Sequence, residues 1–145
     1  MALPRQLDLL ADWTPSEPVE RFDPVVVRAA SVAGRISKAV SAALKGKNRE
    51  AVAKAMSEYL REPFTKNMLD AYASEAREDH PIPATRLFAL LDATRDRRLL
   101  QLFADDFGWA VVDGRHVHRI AEAEAQERID ELREAVKYHR RRARG

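Results

Sequence analysis

Apolar residues recur at helical spacing through most of the chain. The first such stripe predicts one long helix between Asp23 and Asn48, and its inward positions are Val25, Val26, Ala29, Val32, Ala33, Ile36, Val40, Ala43 and Leu44. Asp23-Pro24 is typical of a helix start, because the aspartate caps and the proline fits the first turn. Gly46 ends the helix. Two shorter helices are predicted further on, at 84–93 with Leu87, Leu90 and Leu91 inward, and at 97–107 with Leu99, Leu100, Leu102 and Phe103 inward.

The central stretch, residues 49–74, predicts two short helices around a break. Asn48 caps the first helix, whose inward face includes Val52 and Met56. Pro63 lacks an amide donor and disfavours helical angles in the residue before it, so this helix stops near Leu60 or Arg61. Thr65 caps the second helix, whose inward residues are Met68, Leu69 and Tyr72. Two compact helices joined by a corner are what a helix-turn-helix DNA-binding motif requires.

The outer face of the second helix carries the candidate DNA contacts Thr65, Lys66 and Asn67. The ammonium group of Lys66 can reach a phosphate or a guanine edge, and the amide of Asn67 has the paired donor and acceptor that suit adenine. Asp70 lies on the same helix, where its negative charge would repel a phosphate.

These two helices resemble a known motif. VAKAM at 52–56 resembles the first helix of the Cro/repressor type of helix-turn-helix, and TKNMLDAY at 65–72 resembles its recognition helix, although the corner between them is longer and lacks the usual glycine. Residues 13–113 also resemble small regulators of Mu-like prophages, especially through MLDAYASEAREDH at 68–80 and FGWAVVD at 107–113. The resemblance implies a regulatory, DNA-binding role and identifies no catalytic residue.

Two segments flank this region. Residues 1–22 are apolar and then proline-marked, which predicts an N-terminal arm that either packs on the core or docks a partner. At 109–118, β-forming residues surround Asp113-Gly114, which predicts a short β-hairpin. We therefore expect a mainly α protein with an arm at 1–22, a five-helix repressor-like domain at 23–108, a hairpin at 109–118 and an amphipathic helix at 119–145.

The C-terminal helix has a narrow apolar stripe. Its members follow the four-three spacing of a heptad: Ala125, Ile129, Leu132, Val136 and His139. Such a stripe suits either a two-stranded coiled coil or a helix that lies along its own domain. We expect a homodimer through Ile129, Leu132 and Val136, with a basic tail.

Charge is unevenly distributed although the net charge is only +2. Residues 24–48 contain Arg28, Arg35, Lys38, Lys45 and Lys47 without one acid, whereas residues 49–80 hold five basic and seven acidic residues. Attraction to phosphates therefore has to come largely from outside the central helices. The candidates for it are Lys38, Lys45, Lys47, Arg140, Arg141 and Arg142.

Several function classes are disfavoured. The chain has no cysteine, no glycine-rich phosphate loop and no activated nucleophile, and His116 and His118 have no third metal ligand nearby. We expect no enzyme activity, no cofactor and no metal. No apolar run is long enough for a membrane span and no signal pattern opens the chain, so a cytoplasmic protein is expected. The predicted function is a sequence-specific DNA-binding transcriptional regulator of phage type; the alternative is a non-enzymatic helical module for protein interaction or assembly.

Overall fold

The structure, a computed structural model, describes residues 17–77 and 79–145. The chain divides into two compact units, one formed by residues 19–111 and one that contains residues 112–145. The protein is mainly helical, and the described ranges contain no β-strand. Most of the predicted N-terminal arm lies outside the described residues.

Five α-helices form the first unit, as predicted. They are α1 (Val32–Leu44), α2 (Arg49–Leu60), α3 (Lys66–Tyr72), α4 (Ala84–Thr94) and α5 (Arg98–Asp105), with a 3-10 turn at Glu75–Arg77. The second unit has a 3-10 turn at Gly114–His116 followed by α6 (Val117–Arg144).

One hydrophobic core joins the five helices of the first unit. Helix α2 packs chiefly against α4 and also against α3, while α1 packs against α5. The most deeply buried large side chains come from every helix: Val40, Leu44, Met56, Leu69, Leu90 and Leu99. The prediction for α5 is only half right, since Leu99 and Leu102 are buried but Leu100 and Phe103 are exposed.

Helix α1 begins later than the sequence predicts. Its N-cap is Ser31, whose hydroxyl accepts a hydrogen bond from the backbone N–H of Gly34 at 2.9 Å. Asp23 instead closes a local turn, because its carboxylate accepts from the Val25 N–H at 2.9 Å and its carbonyl from the Val26 N–H at 3.0 Å. The expected helix start at Asp23-Pro24 is therefore wrong, because the same capping chemistry serves a turn here and a second capping residue follows at position 31.

The predicted boundaries of the central helices are confirmed. The Asn48 side chain accepts from the Ala51 N–H at 3.1 Å, and the Thr65 hydroxyl accepts from the Met68 N–H at 3.3 Å. Helix α2 ends at Leu60, and Arg61 follows in the left-handed conformation with φ of 54°. Arg61 thus takes the backbone geometry that a turn glycine would normally provide.

The predicted hairpin at 109–118 is wrong. A two-residue type I′ turn needs positive φ at both central residues, but Asp113 has φ of −62° and Gly114 is not among the glycines with positive φ. The Asp113 carboxylate accepts from the Arg115 N–H at 3.0 Å, so it caps a helical turn. The chain then continues into α6, which begins two residues before the predicted start at 119.

Gln101 explains why residues 109–111 are not free to form a strand. Its side chain is fully buried on α5, and its amide nitrogen donates to the Trp109 carbonyl at 3.1 Å and to the Asp105 carboxylate at 2.5 Å. Its amide oxygen accepts from the Val111 N–H at 2.6 Å. A backbone donor that a strand partner would need is therefore bound by the side chain of a helix.

Asp96, at the start of α5, makes stability depend on acid pH. Its side chain is 8% exposed and accepts from the Arg98 backbone N–H at 3.1 Å and from the Arg98 guanidinium at 2.7 and 2.9 Å. Burial raises the pKa of Asp96, but the hydrogen bonds and charge of Arg98, with a smaller effect of Lys47, bring it below its ordinary value.

A carboxyl pKa that is lower in the folded state stabilises the protein above the unfolded value of about 3.9. This contribution is lost as pH falls through the folded-state pKa. Asp96→Asn can still accept a hydrogen bond from the Arg98 N–H but has no carboxyl group to titrate. We therefore expect its free energy of unfolding to decrease less steeply than that of the parent as the pH falls below about 4. Asp96→Ala, which also removes the acceptor of the Arg98 N–H, should be about 0.5–2 kcal/mol less stable near neutral pH. Denaturant unfolding at a series of pH values measures both, and an unchanged acid slope in Asp96→Asn would contradict the assignment.

Within the described ranges, no helix combines the length and the apolar character that a membrane span needs.

Candidate nucleic-acid interface

The N-terminal end of α3 presents the predicted contact residues on one exposed face. Thr65 caps the helix, and Lys66 and Asn67 occupy its first turn with exposed side chains. Leu69 is fully buried on the opposite side and packs in the same core as Val52 and Met56. The structure therefore brings Thr65, Lys66 and Asn67 together at the surface while the core holds α3.

Asp70 is compensated by two cations. Its carboxylate accepts from the guanidinium of Arg49, on α2, at 2.7 Å and from the ammonium of Lys66, one turn earlier on α3, at 2.9 Å. The hydrogen bond from Arg49 and then that from Lys66 lower the pKa of Asp70. Because two positive groups share one carboxylate, the repulsion that the sequence predicts near Asp70 is offset.

A shallow surface depression lies beside α3. It is lined by Asn67, Asp70, Ala71, Ser74 and Arg77. Arg77 is exposed, and no ion pair with another described residue is formed by its guanidinium. The 3-10 turn at Glu75–Arg77 brings this arginine to the same depression as Asn67. No pattern in the sequence marks Arg77 as a site residue, because it lies outside any periodic segment.

An aromatic and cationic cluster fastens the corner and α3 to α4. The rings of Phe64 and Tyr72 are stacked, with centroids 6.4 Å apart and planes 8° from parallel. The guanidinium of Arg86 lies 5.4 Å from the Phe64 ring and 5.7 Å from the Tyr72 ring, and it donates to the Tyr72 hydroxyl. Such contacts stabilise a helix that, with seven residues, is too short to be stable by itself.

The predicted basic residues Lys38, Lys45 and Lys47 differ in whether their ammonium groups already have partners within the fold. The ammonium group of Lys38 donates to the Arg28 carbonyl and lies 4.0 Å from the Glu75 carboxylate. Lys45 and Lys47 are exposed in the connection between α1 and α2. Lys38 therefore serves the fold, while Lys45 and Lys47 remain accessible to a ligand.

Arg140, Arg141 and Arg142 belong to the last turns of α6, in the second unit. All three are exposed. Arg142 lies 5.7 Å from the ring of Tyr138, and the Arg141 guanidinium donates to the Lys137 carbonyl at 3.4 Å. Neither contact neutralises their charge, so this end of α6 stays strongly basic.

Two further findings bear on function. Among the residues that the structure describes, no group of three or more histidine, aspartate or glutamate side chains is arranged to hold a metal ion. No family model, no curated protein and no solved structure matches this chain.

Proposed function

We propose that the protein is a sequence-specific DNA-binding transcriptional regulator of phage type. The observation that carries this proposal is the exposed first turn of α3, where Lys66 and Asn67 stand side by side on a helix that a neighbouring helix, a cap and a buried leucine hold in place. In this proposal Asn67 contacts a base edge, Lys66 contacts a phosphate or guanine, and Thr65 keeps the helix start in place.

Attraction to the DNA backbone comes from groups outside α3. Lys45 and Lys47 are exposed on the first unit, and Arg140, Arg141 and Arg142 are exposed on the second. The pairing of Asp70 with Arg49 and Lys66 reduces the repulsion that a free carboxylate would exert on a phosphate. Lys38 contributes less, because its ammonium group already has two oxygen neighbours within the fold.

The proposed regulator is a homodimer formed through α6. Ile129, Leu132 and Val136 are 44, 52 and 47% exposed within their chain, although all three are large aliphatic residues on one stripe. Two-fold dimers are the usual form of helix-turn-helix regulators, because each copy binds one half-site of a palindrome. Pairing along α6 would cover the stripe and connect two DNA-binding units.

A mobility-shift experiment with two duplexes tests the proposal. One duplex is the natural upstream region and the other has the same composition in scrambled order, and both are titrated at two salt concentrations. We expect binding to both at low salt and a preference for the natural duplex that survives at higher salt. A protein that shifts neither duplex at low salt is not a DNA-binding regulator.

Substitution of Asn67 should separate specificity from general affinity. Asn67→Ala is expected to cost about 1–3 kcal/mol on the preferred site and little on the scrambled duplex, because only the preferred site offers the matching base edge. The matched control replaces Arg140, Arg141 and Arg142 by alanine. It should weaken binding to both duplexes and flatten the salt dependence by roughly one unit of slope for each lost phosphate contact. Equal losses on both duplexes for Asn67→Ala would remove it from base recognition.

A specific observation favours the alternative, a helical protein-interaction module. Phe107 and Trp109 are each 66% exposed, with ring centroids 5.0 Å apart, and Leu100 and Phe103 are exposed on the preceding helix. Exposed aromatic clusters of this kind occur at protein interfaces. Trp109→Ala separates the two functions: it should weaken binding of a partner protein that docks on this cluster, and it should leave DNA affinity unchanged, because Trp109 is not among the proposed DNA contacts.

A further inference from the structure

The charges of α6 are segregated by sign along the helix. Between residues 117 and 130 there are four acidic and two basic residues, whereas between 131 and 144 there are two acidic and six basic ones. The central charges are paired within the helix, as Arg128 with Glu131, Asp130 with Arg133, and Glu134 with Lys137. The charges outside these pairs are mostly acidic toward one end, where Arg119 is the exception, and basic toward the other.

The two ends of the apolar stripe on α6 differ in the same sense as the charges that flank it. It runs through Ala125, Ile129, Leu132 and Val136, and one step of three residues at each end brings it to Glu122 and His139. A carboxylate thus lies at one end of an apolar stripe and an imidazole at the other. This arrangement distinguishes the two directions in which a second helix can lie against it.

We propose that a second copy of the chain packs along α6 in the antiparallel direction. The inference rests on the dimer proposed above and specifies its geometry. Aligning Ile129 with Leu132 of the second copy places Ala125 opposite Val136 and Glu122 opposite His139. Each small residue then faces a larger one, and each acidic half of α6 faces a basic half.

The parallel direction brings like groups together instead. In a parallel coiled coil every stripe residue faces its own copy, so Glu122 meets Glu122 and His139 meets His139. The two basic ends of α6 also lie side by side in this direction. Like charges that face each other across a coiled coil destabilise that pairing, so they disfavour the parallel direction.

Cysteine cross-linking distinguishes the directions, because the natural chain contains no cysteine. The two variants are Ala125→Cys and Val136→Cys in the full chain, one carrying a tag so that the products differ in mass. In the antiparallel dimer, two copies of residue 125 are separated by eleven residues along the helix axis, about 16 Å. A disulfide requires Cα atoms within about 7 Å. We expect the mixture to form the disulfide between residues 125 and 136 in a redox buffer, and Ala125→Cys alone to form none. A disulfide in Ala125→Cys alone that matches or exceeds the mixed product would overturn the proposal.

A charge exchange provides a second measurement that needs no disulfide. Glu122→Lys should raise the dimer dissociation constant about 2- to 30-fold, because two symmetric pairs are lost. Adding His139→Glu to the same chain should restore it, since each lysine then faces a glutamate. Failure of the double variant to regain affinity contradicts the antiparallel direction, because in a parallel dimer both substitutions still face their own copies.

Sedimentation of the parent chain separates this proposal from the DNA-binding function. A chain that is monomeric at the concentrations of the exchange experiment overturns the antiparallel pairing and the dimer with it. The mobility-shift result does not depend on the direction of α6, so failure of DNA binding would leave the cross-linking result valid.

Discussion

Replacing Leu69 by alanine is expected to lower the free energy of unfolding by about 2–5 kcal/mol. Leu69 is fully buried in α3 and lies in the core cluster with Val52 and Met56. Truncation removes apolar contacts and leaves a cavity between helices that are already closely packed. Chemical denaturation followed by circular dichroism measures the change.

Met68→Ala is the matched control for this experiment. The sequence places Met68 on the inward face together with Leu69, but its side chain is only partly buried at the edge of the core. It should therefore cost clearly less than Leu69→Ala. If both variants lose the same stability, or if Leu69→Ala unfolds at the denaturant concentration of the parent, the packing of α3 described above is contradicted.

The effect of Leu69 should extend to DNA binding. Helix α3 has seven residues, so its orientation depends on Leu69, the Thr65 cap and the contacts of Asp70 with α2. Loss of one of these supports shifts the first turn that carries Asn67. A functional loss in Leu69→Ala is therefore a consequence of misplacement and not of a direct contact.

Replacing Leu132 by aspartate is expected to convert the proposed dimer into a monomer and to weaken binding to a two-half-site duplex by about 10²- to 10⁴-fold. The side chain is half exposed within its own chain, so the substitution leaves the first unit folded. It places a charge in the middle of the apolar stripe, where pairing would bury it without a partner. Sedimentation and the mobility shift measure the two effects.

Tyr138→Asp is the control for Leu132→Asp. Tyr138 is equally exposed, at 51% against 52%, and lies on α6 away from the stripe. It should leave the dimer intact. A parent chain that is already monomeric, or a Tyr138 variant that dissociates as strongly as the Leu132 variant, would show that the stripe is not the dimer contact.

Local chemistry was enough to predict much of the first unit. Asn48 and Thr65 cap helices because their side chains accept from backbone groups three residues away, and Pro63 ends a helix because of its own ring. These interactions involve neighbours in the chain, so the sequence determines them. The amphipathic stripe of α6 is likewise a local pattern, and its helix is present.

The tertiary structure decided what local patterns leave open. Asp23 and Ser31 have similar capping chemistry, but in the folded chain Ser31 caps α1 and Asp23 closes a turn. The Asp113-Gly114 pair favours a hairpin locally, but the buried Gln101 binds the Val111 N–H, and the chain turns into a helix.

The candidate DNA-binding site also combines features that the local sequence determines with features that depend on tertiary packing. The sequence by itself determined that Thr65, Lys66 and Asn67 share the first turn of a capped helix, because residues so close in a helix necessarily do. Only the tertiary structure decided that Arg49 pairs with Asp70, that Arg77 lines the same depression as Asn67 and that Arg86 lies over the Tyr72 ring. These residues are separated along the chain by between 10 and 21 positions, so their contacts depend on how helices pack and not on the spacing within any one of them.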